Sequence, residues 1–189
     1  AKHAMREMNL INWETGEYDP SLTHPSPVLF VDLEGTFDYE WASRIGIPRE
    51  SFEDYNYHIQ PINGEMAANT ILSAIESRTF GLIIVDSNEA FVSIKTIEKA
   101  AEENVMCDRA KILARMYRVG QANLLHAIDK ERPWRTPTVL CLNQLRESIG
   151  TLHTSWFPPG GRAQLQYSST IIQFNAPLVR DSTTKSYGM

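Results

Sequence analysis

Acidic or amide side chains follow three apolar runs of this sequence, at the point where each run ends. The three polar groups are Asp32-Leu33-Glu34, Asp86-Ser87 and Asn143-Gln144. Such side chains can hold a hydrated Mg²⁺, polarise a water molecule or bind a phosphate. If the runs are parallel strands, their carboxyl ends meet at one edge of a sheet, where ligands bind in such folds. The sequence therefore predicts a ligand site at that edge.

Asp86 and Glu34 are the two carboxylates with the most defined chemistry. Asp86 follows the apolar residues 82–85, a pattern typical of strands whose terminal carboxylate holds Mg²⁺ through water. An Asp that caps the next helix produces the same pattern and is an equal alternative. Glu34 lies two residues beyond Asp32, so it can extend past the strand end and polarise a water. The alternative is a solvated strand end with a turn at Gly35.

Gln144 begins a segment whose residues suit contact with phosphates. A Gln at a strand end can hydrogen-bond a terminal phosphate and pass its position to the following loop. That loop, 150–161, ends in Gly160 and Gly161, which open a predicted helix and expose backbone N–H groups to a phosphate. The alternatives are an amide with local backbone bonds and a flexible surface loop.

Cations and aromatic residues in two segments suit contact with nucleic acid. Arg146, His153, Trp156, Phe157 and Arg162 lie in or beside the loop, and Arg109, Lys111 and Arg115 lie in a separate segment. Arg109 and Arg115 fall at the start of a long predicted helix, for which a solvated face is the slightly favoured alternative. An exposed Trp-Phe pair in a loop favours a binding partner.

Strand and helix patterns alternate along the chain. The predicted strands are 27–33, 57–60, 81–85, 137–142 and 169–174. The predicted helices are 1–10, 39–45, 64–79, 93–103, 108–130 and 162–168, with a surface loop or insertion at 12–27 and a weakly patterned tail at 177–189. This alternation predicts an α/β fold with a mostly parallel sheet flanked by helices.

Composition limits the class of protein. The chain has 189 residues, 42% apolar residues and a net charge of −5, which suits one globular domain and excludes a protein coated in positive charge. Any nucleic-acid site must therefore be local. Two cysteines in unrelated contexts predict neither a disulfide framework nor a metal cluster, and no apolar run is long enough for a membrane helix. We expect a cytoplasmic protein.

In their order along the chain, these motifs resemble the RecA family of strand-exchange proteins, over roughly 28–175. The segment 30–37, Phe-Val-Asp-Leu-Glu-Gly-Thr-Phe, resembles the family's strand with the catalytic glutamate, and 83–87 resembles its Mg²⁺ strand. Asn143-Gln144, the loop and Gly160-Gly161 resemble the family's second DNA-binding loop. This last motif is the most specific, because RecA-fold ATPases in general share the first two.

The resemblance implies a role for each matching residue. Glu34 would be the general base, Asp86 would hold Mg²⁺ through water, and Gln144 would sense the γ-phosphate. The resemblance also implies an ATP site with Asp38, Trp41 and Ser87, and DNA contacts from Arg109, Arg115, Arg146, Gly160, Gly161 and Arg162. The implied cofactors are ATP and Mg²⁺. The implied partners are single-stranded and double-stranded DNA and further copies of the chain in a filament, with no membrane.

One departure from the family pattern concerns the phosphate-binding P-loop. The sequence contains no G-x-x-x-x-G-K-[ST] motif. We therefore expect the chain to be a fragment that starts just after the P-loop and stops before the last strands of the core. Such a fragment would hydrolyse ATP weakly or not at all, although its parent would be a DNA-dependent ATPase. The competing functions are a RecA-fold ATPase without strand exchange, of the hexameric helicase or clock type, and a non-catalytic recombinase paralogue.

Overall fold

The secondary structure follows the predicted alternation of strands and helices. The computed structural model describes residues 27–47, 49–54, 56–98, 108–128, 136–147, 156–174, 179–180 and 187–188. The strands are β1 (Val28–Asp32), β2 (Tyr57–Ile59), β3 (Leu82–Asp86), β4 (Thr138–Cys141), β5 (Arg146–Glu147), β6 (Trp156–Phe157), β7 (Val179–Arg180) and β8 (Tyr187–Gly188). The α-helices are α1 (Tyr39–Arg44), α2 (Ser51–Asp54), α3 (Gly64–Ser77), α4 (Ile94–Glu98), α5 (Asp108–Ala127) and α6 (Ala163–Tyr167), and a 3₁₀ turn covers Asn88–Ala90.

Four parallel strands in the order β2-β1-β3-β4 form the central sheet. The two middle strands are rich in β-branched residues, and Val31, Ile83 and Val85 are fully buried. Such runs suit a strand that is covered on both faces. The α/β fold with a parallel sheet flanked by helices is therefore confirmed.

Helices α3 and α5 pack against each other and against β1 and β3 in the hydrophobic core. Asn63 caps the start of α3, where its side chain accepts a hydrogen bond of 2.7 Å from the backbone N–H three residues on. Ile71 and Ile75 of α3 and Leu113 of α5 are almost fully buried in the core. The two helices approach closely at Gly120, where an added Cβ would lie 3.5 Å from Ile75 Cδ1. Each of these buried aliphatic side chains contributes about 2 kcal/mol through burial.

The strand predicted at 169–174 is wrong. The chain there has no regular secondary structure, and Ile171, Ile172 and Phe174 are exposed. The apolar pattern was the basis of the prediction, but a strand also needs an edge with which to pair, and no described segment pairs with these residues. The segment predicted as a loop between 150 and 161 does contain a strand, because β6 pairs antiparallel with β5.

Several predictions fall on residues that the structure does not describe. They are the helix at 1–10, most of the loop at 12–27, the second half of the helix at 93–103, the end of the helix at 108–130, and His153. In the predicted tail, β7 and β8 form a two-stranded antiparallel pair. Among the helices described, none is long and apolar enough to cross a membrane.

Candidate functional site

The carboxyl ends of β1, β3 and β4 meet at one edge of the sheet. Asp32 and Asp86 are register partners, and the backbone N–H of Leu33 donates a hydrogen bond of 2.7 Å to the carbonyl of Asp86. On the other side of β3, Asn88 N–H donates to the carbonyl of Leu142 at 2.9 Å. The structure therefore brings together the three polar groups that the sequence singled out.

Glu34 and Ser87 are in direct contact across this edge. The Ser87 hydroxyl donates a hydrogen bond to Glu34 Oε1. Ser87 is buried, whereas Glu34 is exposed beyond the end of β1. The peptide between Asp86 and Ser87 is cis. The contact fixes one carboxylate oxygen of Glu34 and leaves the residue exposed to a ligand above the sheet edge.

Asp86 lies beside other carboxylates without a compensating cation among the described residues. Its pKa is raised, first because the carboxyl is partly removed from water and then because Glu34 and Asp32 carry like charge. No described residue donates a hydrogen bond to this carboxylate. Oxygen ligands with excess negative charge suit Mg²⁺, which keeps several waters and binds few protein carboxylates. Among the described residues, no group of three or more His, Cys, Asp or Glu side chains is arranged to hold a metal ion.

Asp32 has the opposite environment, and the sequence did not reveal its role in supporting the turn. Its side chain is fully buried and accepts backbone hydrogen bonds from Gly35 at 2.7 Å and Phe37 at 3.1 Å. His58 Nε2 lies 3.2 Å from the same carboxylate. Burial alone would raise the pKa of Asp32, but the hydrogen bonds from Phe37, His58, Gln60 and Thr36 lower it. Asp32 therefore fixes the turn that follows Glu34.

Aromatic side chains surround this turn and hold His58 in place. The Tyr39 hydroxyl lies 2.7 Å from His58 Nδ1, on the side of the ring away from Asp32. The ring of Phe37 stacks on His58 with centroids 4.8 Å apart. Phe52 packs edge-on against both Phe37 and Tyr39. The turn is thus supported by a packed cluster as well as by the Asp32 hydrogen bonds.

Two of the residues that the resemblance assigns to an ATP site, Asp38 and Trp41, lie just before α1 and on it. Asp38 is the N-cap of α1, since its Oδ1 accepts hydrogen bonds from the N–H groups of Glu40 at 2.8 Å and Trp41 at 3.0 Å. Trp41 is 59% exposed, so its ring is available for stacking. A role for either residue in binding ATP stays a prediction.

Asn143 and Gln144 take different positions after β4. The Asn143 side chain accepts a hydrogen bond of 3.0 Å from Gln144 N–H and donates to the carbonyl of Pro159 at 3.0 Å. It also donates to Gln164 Oε1 at 2.8 Å. Gln144 is exposed at the sheet edge. Gln164, which the sequence analysis did not single out, is therefore part of the same structure.

Gly160 and Gly161 form a turn that rests on α5. Both have a positive φ, +100° and +88°, which favours glycine. An added Cβ on Gly160 would lie 2.5 Å from Leu113 Cδ1, and one on Gly161 would lie 3.3 Å from Ala110 Cβ. The glycine pair is thus required for backbone conformation and for close packing, whether or not its N–H groups bind a phosphate.

Two of the predicted DNA-binding arginines meet at a single carboxylate. Arg109 Nη1 lies 2.7 Å from Glu89 Oε1, and Arg146 Nη2 lies 2.5 Å from the same oxygen. Glu89 follows β3 in the 3₁₀ turn, and its side chain is only 13% exposed. Arg146 is 60% exposed, so it remains accessible to a ligand. Phe157 and Gly160 line the same open groove, whose volume is about 440 Å³.

The other two predicted DNA-binding arginines, Arg115 and Arg162, do not contact Glu89. Arg162 is exposed immediately before α6, next to the glycine turn. Arg115 lies six residues beyond Arg109 on α5, which places it about 120° away around the helix axis. Its guanidinium is 3.4 Å from Asn69 Oδ1 of α3. The structure therefore groups Arg109, Arg146 and the glycine turn, and places Arg115 on a different face.

A family comparison identifies the family of this domain. The model of the RecA N-terminal domain family matches residues 23–184. The chain belongs to the RecA family. This match covers the three strand ends, the glycine turn and the helices that support them.

Curated relatives agree with this assignment to the RecA family. The chain is 29% identical to Protein RecA of Mycoplasma mobile over 74% of its length and 39% of the relative. It is 29% identical to Protein RecA of Streptomyces rimosus over 77% of its length and 36% of the relative. It is 30% identical to Protein RecA of Malacoplasma penetrans over 76% of its length and 40% of the relative. The chain thus spans less than half the length of these relatives.

Proposed function

We propose that the protein containing this chain is an ATP-dependent DNA recombinase that forms a filament on single-stranded DNA and exchanges strands with homologous double-stranded DNA. The observation that carries the proposal is the direct connection between the sheet edge and the glycine turn. Glu34 bonds Ser87 at that edge, and Asn143 bonds the carbonyl of Pro159 in the turn. This arrangement, in a member of the RecA family, supports a protein whose DNA loop responds to a bound nucleotide.

Glu34 is the proposed general base at the nucleotide edge. Its contact with Ser87 fixes its orientation, and its exposed position allows it to reach a water placed against a terminal phosphate. Asp86 would hold Mg²⁺ through water, and Gln144 would contact the γ-phosphate. Bound ATP would supply the γ-phosphoryl group that is transferred to water, and Mg²⁺ would supply positive charge beside the phosphates. Trp41 would stack on the adenine from its exposed position on α1.

The proposed DNA surface comprises Arg146, Arg162 and the glycine turn, together with Arg109, which shares the Glu89 carboxylate with Arg146. The exposed arginines would contact phosphates, and Phe157 offers an aromatic face to an unstacked base in the same groove. Arg115 would contact DNA only if the strand also passes the face of α5 near Asn69. Its position makes it a weaker candidate than the sequence indicated.

The test of this function uses the full-length protein. Single-stranded DNA is expected to stimulate ATP hydrolysis, homologous duplex DNA to undergo strand exchange, and electron microscopy to reveal open helical filaments. Closed rings without exchange would assign the protein to the RecA-fold ATPases that do not exchange strands. DNA binding without any ATP hydrolysis would assign it to the non-catalytic paralogues.

Salt dependence tests the DNA surface separately. Arg146→Ala and Arg162→Ala are each expected to weaken DNA binding and to reduce the slope of log affinity against log salt by about one. Arg44→Ala removes the same charge from α1 and is the matched control. An unchanged slope in both test variants would place the DNA away from the glycine turn.

A further inference from the structure

A hydrogen-bonded group of amide side chains connects the sheet edge to the glycine turn. Its members are Asn88 after β3, Asn143 after β4 and Gln164 in α6. Gln164 and Asn88 are buried, with 6% and 1% of their surfaces exposed. Buried amides are costly unless their donors and acceptors are paired, so a group of this kind has a structural or functional reason.

The Gln164 amide nitrogen holds the glycine turn from inside. Gln164 Nε2 lies 3.1 Å from the carbonyl of Pro158, 2.8 Å from that of Pro159 and 3.2 Å from that of Gly161. The two N–H groups of this amide are shared among the three carbonyls. All three carbonyls therefore point at one side chain, and the turn curves around it. This contact sets the path of the chain just before α6.

The Gln164 amide oxygen holds the two strand ends. It accepts hydrogen bonds from Asn143 Nδ2 at 2.8 Å and Asn88 Nδ2 at 3.2 Å. Asn88 follows Ser87, which bonds Glu34, and Asn143 precedes Gln144. One planar amide therefore contacts the chain neighbours of Ser87 and Gln144, which belong to the proposed nucleotide site.

Each strand-end amide is itself anchored. Asn88 Nδ2 donates to the Tyr117 hydroxyl of α5 at 2.7 Å, and Asn88 N–H donates to the carbonyl of Leu142. Asn143 Oδ1 accepts from Gln144 N–H. A shift of Gln144 toward or away from a phosphate would therefore pull on the Asn143 side chain. Through Gln164, the same shift would reach the carbonyls of the glycine turn.

The Gln164 amide serves five partners at once. An apolar side chain at this position would leave the three carbonyls of the turn and the amides of Asn88 and Asn143 each with one hydrogen-bond partner fewer. The amides add a fixed geometry between the strand ends and the turn, which apolar packing does not provide.

We propose that Gln164 is a positioning residue that couples the nucleotide edge to the DNA loop. It fixes the turn 158–161 relative to the strand ends that carry Ser87 and Gln144, so that a change at the nucleotide changes the DNA surface. This inference rests on the proposed recombinase function. It adds the residue through which the coupling passes.

The test measures the affinity for single-stranded DNA in two nucleotide states of the full-length protein. The ratio of Kd with ADP to Kd with a non-hydrolysable ATP analogue reports the coupling. Gln164→Met keeps the length of the side chain and removes the amide, and the ratio is expected to fall about tenfold. Gln166→Met, an exposed change on the same helix, is the matched control and is expected to keep the wild-type ratio.

The melting temperature and a second variant separate coupling from folding. Gln164→Met leaves the turn carbonyls without the amide donor, so its melting temperature is expected to fall, and both affinities are measured well below it. Asn143→Leu removes the contact with Gln164 from the strand side, and its affinity ratio is expected to fall as well. A low ratio in a variant that is fully folded at the temperature of measurement would support positioning, because a residue with only a structural role would not change the ratio.

Two outcomes would overturn the inference in different ways. Equal loss of DNA affinity in both nucleotide states would leave the ratio unchanged and would mean that Gln164 only supports the fold. A wild-type protein whose DNA affinity does not depend on the nucleotide would overturn the proposed function first, and the coupling with it. The two failures are distinguishable because the second is read on the wild-type protein.

Discussion

The ends of β1 and β3 have almost the same sequence but different environments. Both strands are apolar runs that end in Asp, and Asp32 and Asp86 are partners in the register of the sheet. Asp32 is fully buried and is saturated with hydrogen bonds, which lower its pKa. Asp86 receives none from a described residue, and its pKa is raised by burial and by neighbouring carboxylates.

The residues that follow each strand account for this difference. After β1 the chain turns at Gly35, where φ is +68°, and the N–H groups of the turn point back at Asp32. After β3 the chain continues in an extended conformation at Ser87 and leads into the 3₁₀ turn. The comparison teaches that one carboxylate supports the turn that follows its strand, whereas the other accepts no hydrogen bond from a described residue and lies among like charges.

The largest expected effect concerns Glu34, which the Asp32 turn positions. Glu34→Gln keeps the size of the side chain but cannot take a proton, so ATP hydrolysis by the full-length protein is expected to fall about 10²-fold or more. ATP binding, measured by equilibrium titration, is expected to stay nearly unchanged. Glu40→Gln on the exposed face of α1 is the control. Wild-type turnover in the Glu34 variant would contradict the assignment of the general base.

Asp32→Asn tests whether the Asp32 carboxylate supports the turn after β1. The carboxylate now accepts hydrogen bonds from backbone N–H groups, and the new NH₂ group would be a second donor that faces them. The free energy of unfolding is therefore expected to fall by about 3 kcal/mol. Chemical denaturation measures this change. Because the folded pKa of Asp32 is below its ordinary value of 3.8, the stabilisation is present above that pH and is lost as pH falls through the folded pKa. The loss caused by the substitution should therefore shrink in acid.

Asp38→Asn is the control for that experiment. Asn and Asp are similar N-caps, so this variant should lose much less stability. If the two variants were equally stable, the hydrogen bonds of Asp32 would not be the main support of the turn.

Asp86→Asn should change stability in the opposite direction. A folded pKa above the ordinary value of 3.8 means that the ionised carboxylate destabilises the fold as pH rises through that pKa. Removal of the charge is therefore expected to stabilise the protein at pH 7 and to have no such effect below the unfolded pKa. Mg²⁺-dependent protection of the fold in the presence of ATP should be lost in the same variant. Reduced stability at pH 7 would contradict the proposed repulsion among the carboxylates.

The smallest expected effect concerns the Glu89 carboxylate that Arg109 and Arg146 share. Glu89→Gln removes a charge that competes with DNA phosphates, so the affinity for single-stranded DNA is expected to rise about threefold at low salt. Fluorescence anisotropy over a salt series measures this change, and the gain should disappear at high salt. Glu98→Gln on the exposed α4 is the control. Weaker binding would mean that Glu89 orients the two arginines instead of competing for them.

The sequence predicted most of the described fold because apolar periodicity reports burial directly. The observed bounds of β1, β3, α3 and α6 differ from the predicted ones by at most two residues. The prediction failed at 169–174, where the apolar content was right for a strand but the described chain offers no pairing edge. Pairing depends on segments distant in sequence, and local patterns do not contain that information.

The sequence by itself determined which side chains could do chemistry and at which edge of the sheet they would lie. Tertiary structure decided how they are paired: Glu34 with Ser87, Glu89 with Arg146, and Asn88 with Gln164. These partners are 53, 57 and 76 residues apart in the chain. The physical reason is that hydrogen bonds and ion pairs depend on distances of about 3 Å in space, and only the packed fold sets those distances.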